Sequence, residues 1–115
     1  MALDGELDAT VSSGATGPDA VTLAFTVRNE GTKTETLRFS DACKAEFVVQ
    51  DEGREVWRYT DGRMFAQMLS ADELDPDEET TYEAEWEEPQ SGEFTVVAEL
   101  QARGTTCEAR TQLTM

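Results

Sequence analysis

Apolar side chains recur at every second position along most of the chain, which is the period of a β-strand with one buried face. The first such segment carries Leu7, Ala9 and Val11. The same pattern recurs in Leu23–Val27, Thr36–Phe39, Ala45–Val49, Val56–Tyr59, Tyr82–Trp86, Phe94–Leu100 and Cys107–Leu113. About eight short strands, spaced about 8–12 residues apart and without a long helix, predict an all-β fold, an immunoglobulin-like antiparallel β-sandwich.

Turn-forming residues between these segments predict two hairpins. Asn29-Glu30-Gly31 is expected to join Leu23–Val27 to Thr36–Phe39, because Asn and Gly accept the positive φ of a tight turn. Asp51-Glu52-Gly53-Arg54 is expected to join the two segments that flank it in the same way.

Three stretches carry conflicting signals. Residues 12–19 are rich in Ser, Gly and Pro and predict a loop. Residues 61–69 fit either a distorted strand or a single helical turn and are left unassigned. Residues 79–88 are rich in Glu, which favours a helix, but their apolar side chains lie two residues apart. They predict a strand, because we give the periodicity more weight than the propensity.

The length of 115 residues fits one domain of the usual size, so residues 1–115 are predicted to form a single β-sandwich. No apolar run approaches the ~18–20 residues that span a bilayer. The first residues, Met1–Glu6, lack the basic and apolar regions of a signal peptide. We therefore expect a soluble cytoplasmic protein, and we expect it to be a monomer.

Acidic side chains outnumber basic ones by 25 to 9, for a formal net charge of -16. Because a polyphosphate or an anionic membrane needs a basic surface, nucleic acid and membranes are excluded as partners. The chain has two Lys against seven Arg and no Ile, a bias that resembles the proteins of salt-accumulating, halophilic archaea. Acidic crowding is tolerable at molar salt, where the Debye length is about 3 Å. A functional acidic surface is the alternative explanation.

Catalytic and metal-binding chemistry has few candidates in this sequence. Histidine is absent, which removes the usual general base and the commonest transition-metal ligand. The glycines form no phosphate-binding pattern, and the cysteines form no CxxC pair. Asp72–Glu79 lacks the spacing of a calcium loop and contains Pro76, so it predicts a solvated loop, with Leu74 tucked under the sheet edge. We expect a protein that is not an enzyme and that needs no cofactor or metal.

The two cysteines, Cys43 and Cys107, share the buried faces of their segments and are both predicted to point inward. One interpretation is a pair of buried free thiols that act as small apolar side chains. The other is a disulfide that closes the separation between them, which would constrain the unfolded chain. A reducing cytoplasm favours the free thiols.

An ordered set of residues carries a resemblance to a known family. It comprises Phe25–Asn29, Leu37–Ser40, Glu46–Val49, Val56–Arg58, Phe65, Gln67, Leu74, Pro76, Trp86 and Gly92–Val96. In this order, from about Leu23 to Leu100, the residues resemble the BsuPI-type intracellular proteinase inhibitors. The resemblance implies an immunoglobulin-like β-sandwich, in agreement with the periodicity, and a role as an inhibitor of intracellular subtilisin-like serine proteases.

The chain departs from the family pattern at two places. Where the family tends to have Pro-Gly-Glu, this chain has Pro76-Asp77-Glu78, so the turn must either avoid a positive φ or accept Asp there. Around Ser40–Ala45 the family tends to carry Gly, Gln and an aromatic residue, whereas Ala42, Cys43 and Ala45 stand here. We therefore expect altered packing at this corner.

A protease inhibitor needs an exposed, ordered segment that enters the active-site cleft, or a surface that blocks the cleft. The candidate is Asp61–Ala66, in which Arg63, Met64, Phe65 and Ala66 form the predicted protease contact and Met64 or Phe65 fills an apolar pocket. The structural alternative is that Met64 and Phe65 simply pack inward.

The functional alternative to inhibition is a non-catalytic immunoglobulin-like module in a high-salt cytoplasm. Such a module binds another intracellular protein through a sheet edge or a loop end. A large exposed apolar patch away from the loops would favour this alternative.

Overall fold

Each alternating segment lies wholly or largely within a strand, and most of the buried apolar side chains are on these strands. The computed structural model describes residues 3–14, 17–87 and 89–115. Within these ranges the strands are β1 (Leu3–Gly14), β2 (Gly17–Asn29), β3 (Glu35–Phe39), β4 (Ala45–Asp51), β5 (Arg54–Arg58), β6 (Ser70–Leu74), β7 (Glu79–Glu87), β8 (Glu93–Leu100) and β9 (Glu108–Thr114). In the described part of the chain, no helix has the length and apolar character needed to cross a bilayer.

The strands form an antiparallel β-sandwich. Its sheets have the orders β1-β2-β7, β3-β6 and β5-β4-β8-β9. Phe25 of β2 meets Phe47 of β4 edge to face, with ring centroids 6.5 Å apart. Trp86 of β7 meets Phe94 of β8 in the same way at 5.3 Å. The apolar core thus lies between the first and the last of these sheets, and the predicted fold class is confirmed.

One predicted hairpin is confirmed and the other is wrong. β4 and β5 pair through the two-residue turn Glu52-Gly53, and both residues have a positive φ, 49° and 83°, as a type I′ turn requires. β2, in contrast, pairs with β1 on one edge and β7 on the other. Because neither edge of β2 is free, β3 pairs with β6 instead.

The predicted loop at residues 12–19 is wrong for its described part. β1 continues to Gly14 and β2 begins at Gly17, with a register shift between Ser12 and Ser13. Cross-strand hydrogen bonding extends the ladder despite the Ser, Gly and Pro content, and the register shift absorbs the irregularity. Residues 15 and 16 of this stretch lie outside the described residues.

The acidic stretch Asp72–Glu79 is also less of a loop than predicted. Its first three residues belong to β6 and pair with β3, and β7 begins at Glu79, which leaves residues 75–78 as the connection. Leu74 is 3% exposed, as predicted. Among the described residues, no group of three or more His, Cys, Asp or Glu side chains is placed to hold a metal ion.

Candidate functional site

The predicted contact residues lie in the segment that joins β5 to β6. This segment, residues 59–69, contains no strand, and we call it the β5–β6 loop. It begins with a turn in which the Asp61 N–H donates to the Arg58 carbonyl at 3.1 Å and the Arg63 N–H donates to the Thr60 carbonyl at 3.2 Å. Gly62 has a φ of 75° in this turn, a conformation that glycine adopts without steric cost.

The β5–β6 loop carries exposed apolar side chains. Met64 is 99% exposed, Met68 is 57% exposed and Leu69 is 79% exposed. These three are the exposed large hydrophobic side chains among the described residues. Met64 therefore does not pack inward, which excludes the structural alternative for this residue, whereas Phe65 is half-buried. Several exposed apolar side chains within one short segment are typical of an interaction site.

A chain of aromatic contacts supports the loop from below. The Phe65 and Tyr59 rings have centroids 5.9 Å apart, and Tyr59 in turn packs against Phe47 of β4 at 5.8 Å. The Arg63 guanidinium lies over the Tyr59 ring, with its carbon 4.6 Å from the ring centroid. Both neighbours of Met64 are thus held against Tyr59, while Met64 itself points into solvent.

Polar contacts fix the two flanks of the loop. On the first flank, the Glu46 carboxylate of β4 accepts a hydrogen bond from the Thr60 N–H at 3.3 Å and another from the Thr60 hydroxyl. On the second flank, the Ala42 N–H donates to the Ala66 carbonyl at 2.9 Å. The exposed apex between Thr60 and Ala66 is therefore anchored at both ends.

The corner that departs from the family pattern lies next to the loop. A cavity of about 150 Å³ there is lined by Ala42, Cys43 and Ala45 together with Tyr59 and Phe65. Three small residues of the corner thus line an open pocket beside the loop, and altered packing relative to the family stays a prediction. The loop is thus held both by the Tyr59 ring, through Phe65, and by the corner, through the hydrogen bond from the Ala42 N–H to the Ala66 carbonyl.

Both cysteines are free and buried in the structure. The Cys43 Sγ donates to the Ala45 carbonyl at 3.4 Å. Burial, with Glu46 and Asp41 nearby, raises the pKa of the Cys43 thiol. Burial and Asp4 raise the pKa of the Cys107 thiol in the same direction. Neither group is activated as a nucleophile, because the thiolate is disfavoured at both positions.

Sequence reasoning located the exposed loop but missed the residues that hold it, Glu46, Tyr59 and Thr60. One signal was available. Glu46 is a carboxylate within Ala45–Val49, a run in which the other residues are apolar, and a strand buried on both faces holds a charge only when that charge has partners.

Comparisons with known proteins agree with the fold. The BsuPI family, described as intracellular proteinase inhibitor, matches residues 6–105. No curated protein gives a significant match. Among solved structures, the CARDB domain of a Pyrococcus furiosus protein has a TM-score of 0.53 at 16% identity, and the match covers 98% of this chain and 93% of that one.

Two further structures share the architecture. The sporulation control protein Spo0M from Bacillus subtilis has a TM-score of 0.56 at 12% identity, covering 99% of this chain and 49% of that one. A β-glucosidase from Erythrobacter marinus has a TM-score of 0.53 at 15% identity, covering 97% of this chain and 15% of that one. At these identities the similarity shows the fold alone.

Proposed function

The chain belongs to the BsuPI family of intracellular proteinase inhibitors, and on this basis we propose that it inhibits a subtilisin-like serine protease by presenting Met64 to the primary specificity pocket. The β5–β6 loop is the contact segment, with Arg63, Phe65 and Ala66 beside Met64. Membership in an inhibitor family agrees with the expectation that the chain is not an enzyme.

The observation that carries this proposal is the 99% exposure of Met64 between two anchored flanks. Ordering a loop on binding costs conformational entropy for each residue that is fixed. A loop already held at Thr60 and Ala66 avoids much of that cost. The unbranched apolar side chain of methionine suits a deep apolar pocket.

Met64 is a better pocket residue than Phe65 in this geometry. Phe65 is half-buried and packs on Tyr59 at a centroid distance of 5.9 Å. Moving its ring into a protease would break that contact and remove one wall of the pocket that Phe65 lines. Met64 has no such cost, because it is already exposed to solvent.

The test is a titration of a salt-tolerant subtilisin-type protease with the purified chain in molar KCl, following residual activity and integrity of the chain. We expect stoichiometric loss of activity with the chain intact. Met64→Asp should abolish inhibition, because a carboxylate in an apolar pocket is desolvated without a partner. The matched control is Met68→Asp, a change of the same kind in the same loop, which should weaken inhibition much less.

Unchanged protease activity at a large excess of the chain would contradict the proposal. Equal effects of the two Asp variants would contradict the role of Met64 but not inhibition itself. A non-catalytic protein-binding module receives less support from the structure. Among the described residues, the exposed large hydrophobic side chains lie in the β5–β6 loop rather than on a sheet face away from the loops.

A further inference from the structure

Glu46 is the one buried charged residue among the side chains that the structure describes. It lies on β4 between Ala45 and Phe47, and its side chain is 11% exposed. Burying a carboxylate costs free energy unless hydrogen bonds and an opposite charge replace the lost water. The residues that contact the Glu46 carboxylate therefore indicate its structural role.

Two of the four contacts of the Glu46 carboxylate are with Thr60, at the start of the β5–β6 loop. Oε1 accepts from the Thr60 N–H at 3.3 Å and from the Phe47 N–H at 3.0 Å. Oε2 accepts from the Thr60 hydroxyl and lies 3.2 Å from Nη1 of Arg58. One carboxylate on β4 thus contacts the last residue of β5 and the first turn of the loop.

We infer that Glu46 is a positioning residue that keeps the β5–β6 loop an inhibitory segment rather than a substrate of the bound protease. The inference rests on the proposed function. Hydrolysis of the Met64–Phe65 peptide bond consumes one water and leaves a carboxylate on Met64 and an amine on Phe65. A segment must detach locally from its scaffold before a protease can process it efficiently. Glu46 opposes that detachment through its hydrogen bonds with Thr60, which lies four residues before Met64.

The test compares Glu46→Gln and Thr60→Val with the wild-type chain. Gln keeps the size of the side chain but loses the negative charge, and Val removes only the hydroxyl that donates to Oε2. The matched control is Glu99→Gln, because Glu99 lies directly opposite Glu46 in the β4–β8 register and is exposed. Any general effect of removing one acidic charge from this face appears in the control as well.

Glu46→Gln should increase the rate at which a subtilisin-type protease cuts the Met64–Phe65 bond by about ten-fold, the factor that corresponds to one charged hydrogen bond. Thr60→Val should act in the same direction and more weakly. Mass spectrometry identifies the cut. New cleavage confined to the loop marks a positioning effect, whereas cleavage spread along the chain marks general destabilisation and would contradict the inference.

Hydrogen exchange of the free protein provides a readout that needs no protease. The amides of Thr60 and Arg63 should exchange faster in Glu46→Gln than in Glu99→Gln, while core amides of β8 remain unchanged. Wild-type inhibition together with unaltered cleavage in Glu46→Gln would overturn the inference and leave the proposed function standing. Absence of wild-type inhibition would overturn the proposed function, and the exchange rates alone would then decide whether Glu46 orders the loop.

Discussion

Asp77 has a φ of 70°, in the left-handed region that favours glycine. The sequence places Asp where the family tends to have Gly, and the structure shows that the chain keeps the glycine-like conformation. Glycine relieves a left-handed strain of about 1–2 kcal/mol but adds about 0.4–1 kcal/mol of freedom to the unfolded chain, so Asp77→Gly should stabilise the fold by about 0.5–1 kcal/mol. The ion pair that it removes, Arg28 to Asp77 at 3.5 Å, is exposed, and such pairs contribute about 0–1 kcal/mol.

Urea unfolding in molar KCl measures this difference, since salt screens the lost ion pair. Asp77→Ala is the control, because it removes the same carboxylate but keeps a Cβ. It should be less stable than Asp77→Gly. Equal stability of the two variants would show that the positive φ carries no cost at this position.

The Tyr82 side chain should make the fold less stable at alkaline pH. Its hydroxyl donates to Oδ2 of Asp72 at 2.9 Å. Burial, together with this hydrogen bond, raises the pKa of Tyr82 above its ordinary value of 10.0. The unfolded chain loses the phenolic proton near that ordinary value while the folded chain keeps it. The contribution of the protonated Tyr82 side chain to the free energy of unfolding is therefore complete below about pH 10. It is lost as the pH rises toward the folded-state pKa.

Thermal melts between neutral pH and strongly alkaline pH test whether stability falls as the pH rises. Tyr82→Phe should melt lower than wild type at neutral pH, because Asp72 loses a donor, and its decline above about pH 10 should be shallower. The two cysteines have pKa values raised from 9.0, and their part of the decline should remain in the variant. Parallel curves for the two proteins above pH 10 would contradict the assignment to Tyr82.

At the scale of elements, Asn29 joins three parts of the fold. It ends β2 with 0% exposure, and its Nδ2 donates to the carbonyls of Leu74 and Lys33, each at 2.8 Å. Its main-chain N–H donates to the Glu78 carbonyl at 2.9 Å. Asn29→Ala leaves the two carbonyls without their donor and should cost about 2–3 kcal/mol.

Chemical denaturation measures this loss of stability. A second variant, Asn29→Asp, separates the donor role of Nδ2 from the acceptor role of Oδ1. Asp keeps the oxygen that accepts from the Gly31 N–H at 2.9 Å, but it replaces the donor with a carboxylate that faces the Leu74 carbonyl. It should destabilise the fold at least as much as Ala does. An Asp variant as stable as wild type would mean that the hydrogen bonds donated by Nδ2 do not join these elements.

Strand positions could be predicted because burial of one face imposes a period of two on any strand, as in Phe94–Leu100. Strand partners could not all be predicted in this way. The Asn29 turn has the residues of a hairpin, yet β2 already has β1 and β7 on its edges. The loop of the candidate site was found because it interrupts the alternation. Its anchor, Glu46, was missed because the contact with Thr60 spans 14 residues.

At the scale of the whole molecule, the acidic side chains are arranged in rows. The outward face of the β1-β2-β7 sheet has exposed carboxylates on its two outer strands, namely Asp4, Glu6, Asp8, Glu83, Glu85 and Glu87. Same-face neighbours along a strand lie about 7 Å apart. Among the described residues, ion pairs involve Arg28, Lys44, Arg58 and Arg110, so no ion pair to these rows reduces their mutual repulsion.

The balance between this repulsion and the buried core depends on salt. At molar KCl the Debye length of about 3 Å is shorter than the spacing within a row, whereas at 0.01 M it is about 30 Å and every carboxylate of the face repels the others. We therefore expect the melting temperature to fall as KCl is lowered from molar to millimolar. Glu85→Gln should reduce this dependence, and Glu85→Lys should reduce it further, because the two changes remove one and two units of negative charge from one row. A melting temperature that is independent of KCl in all three proteins would reject adaptation to salt and leave a functional acidic surface as the explanation of the composition.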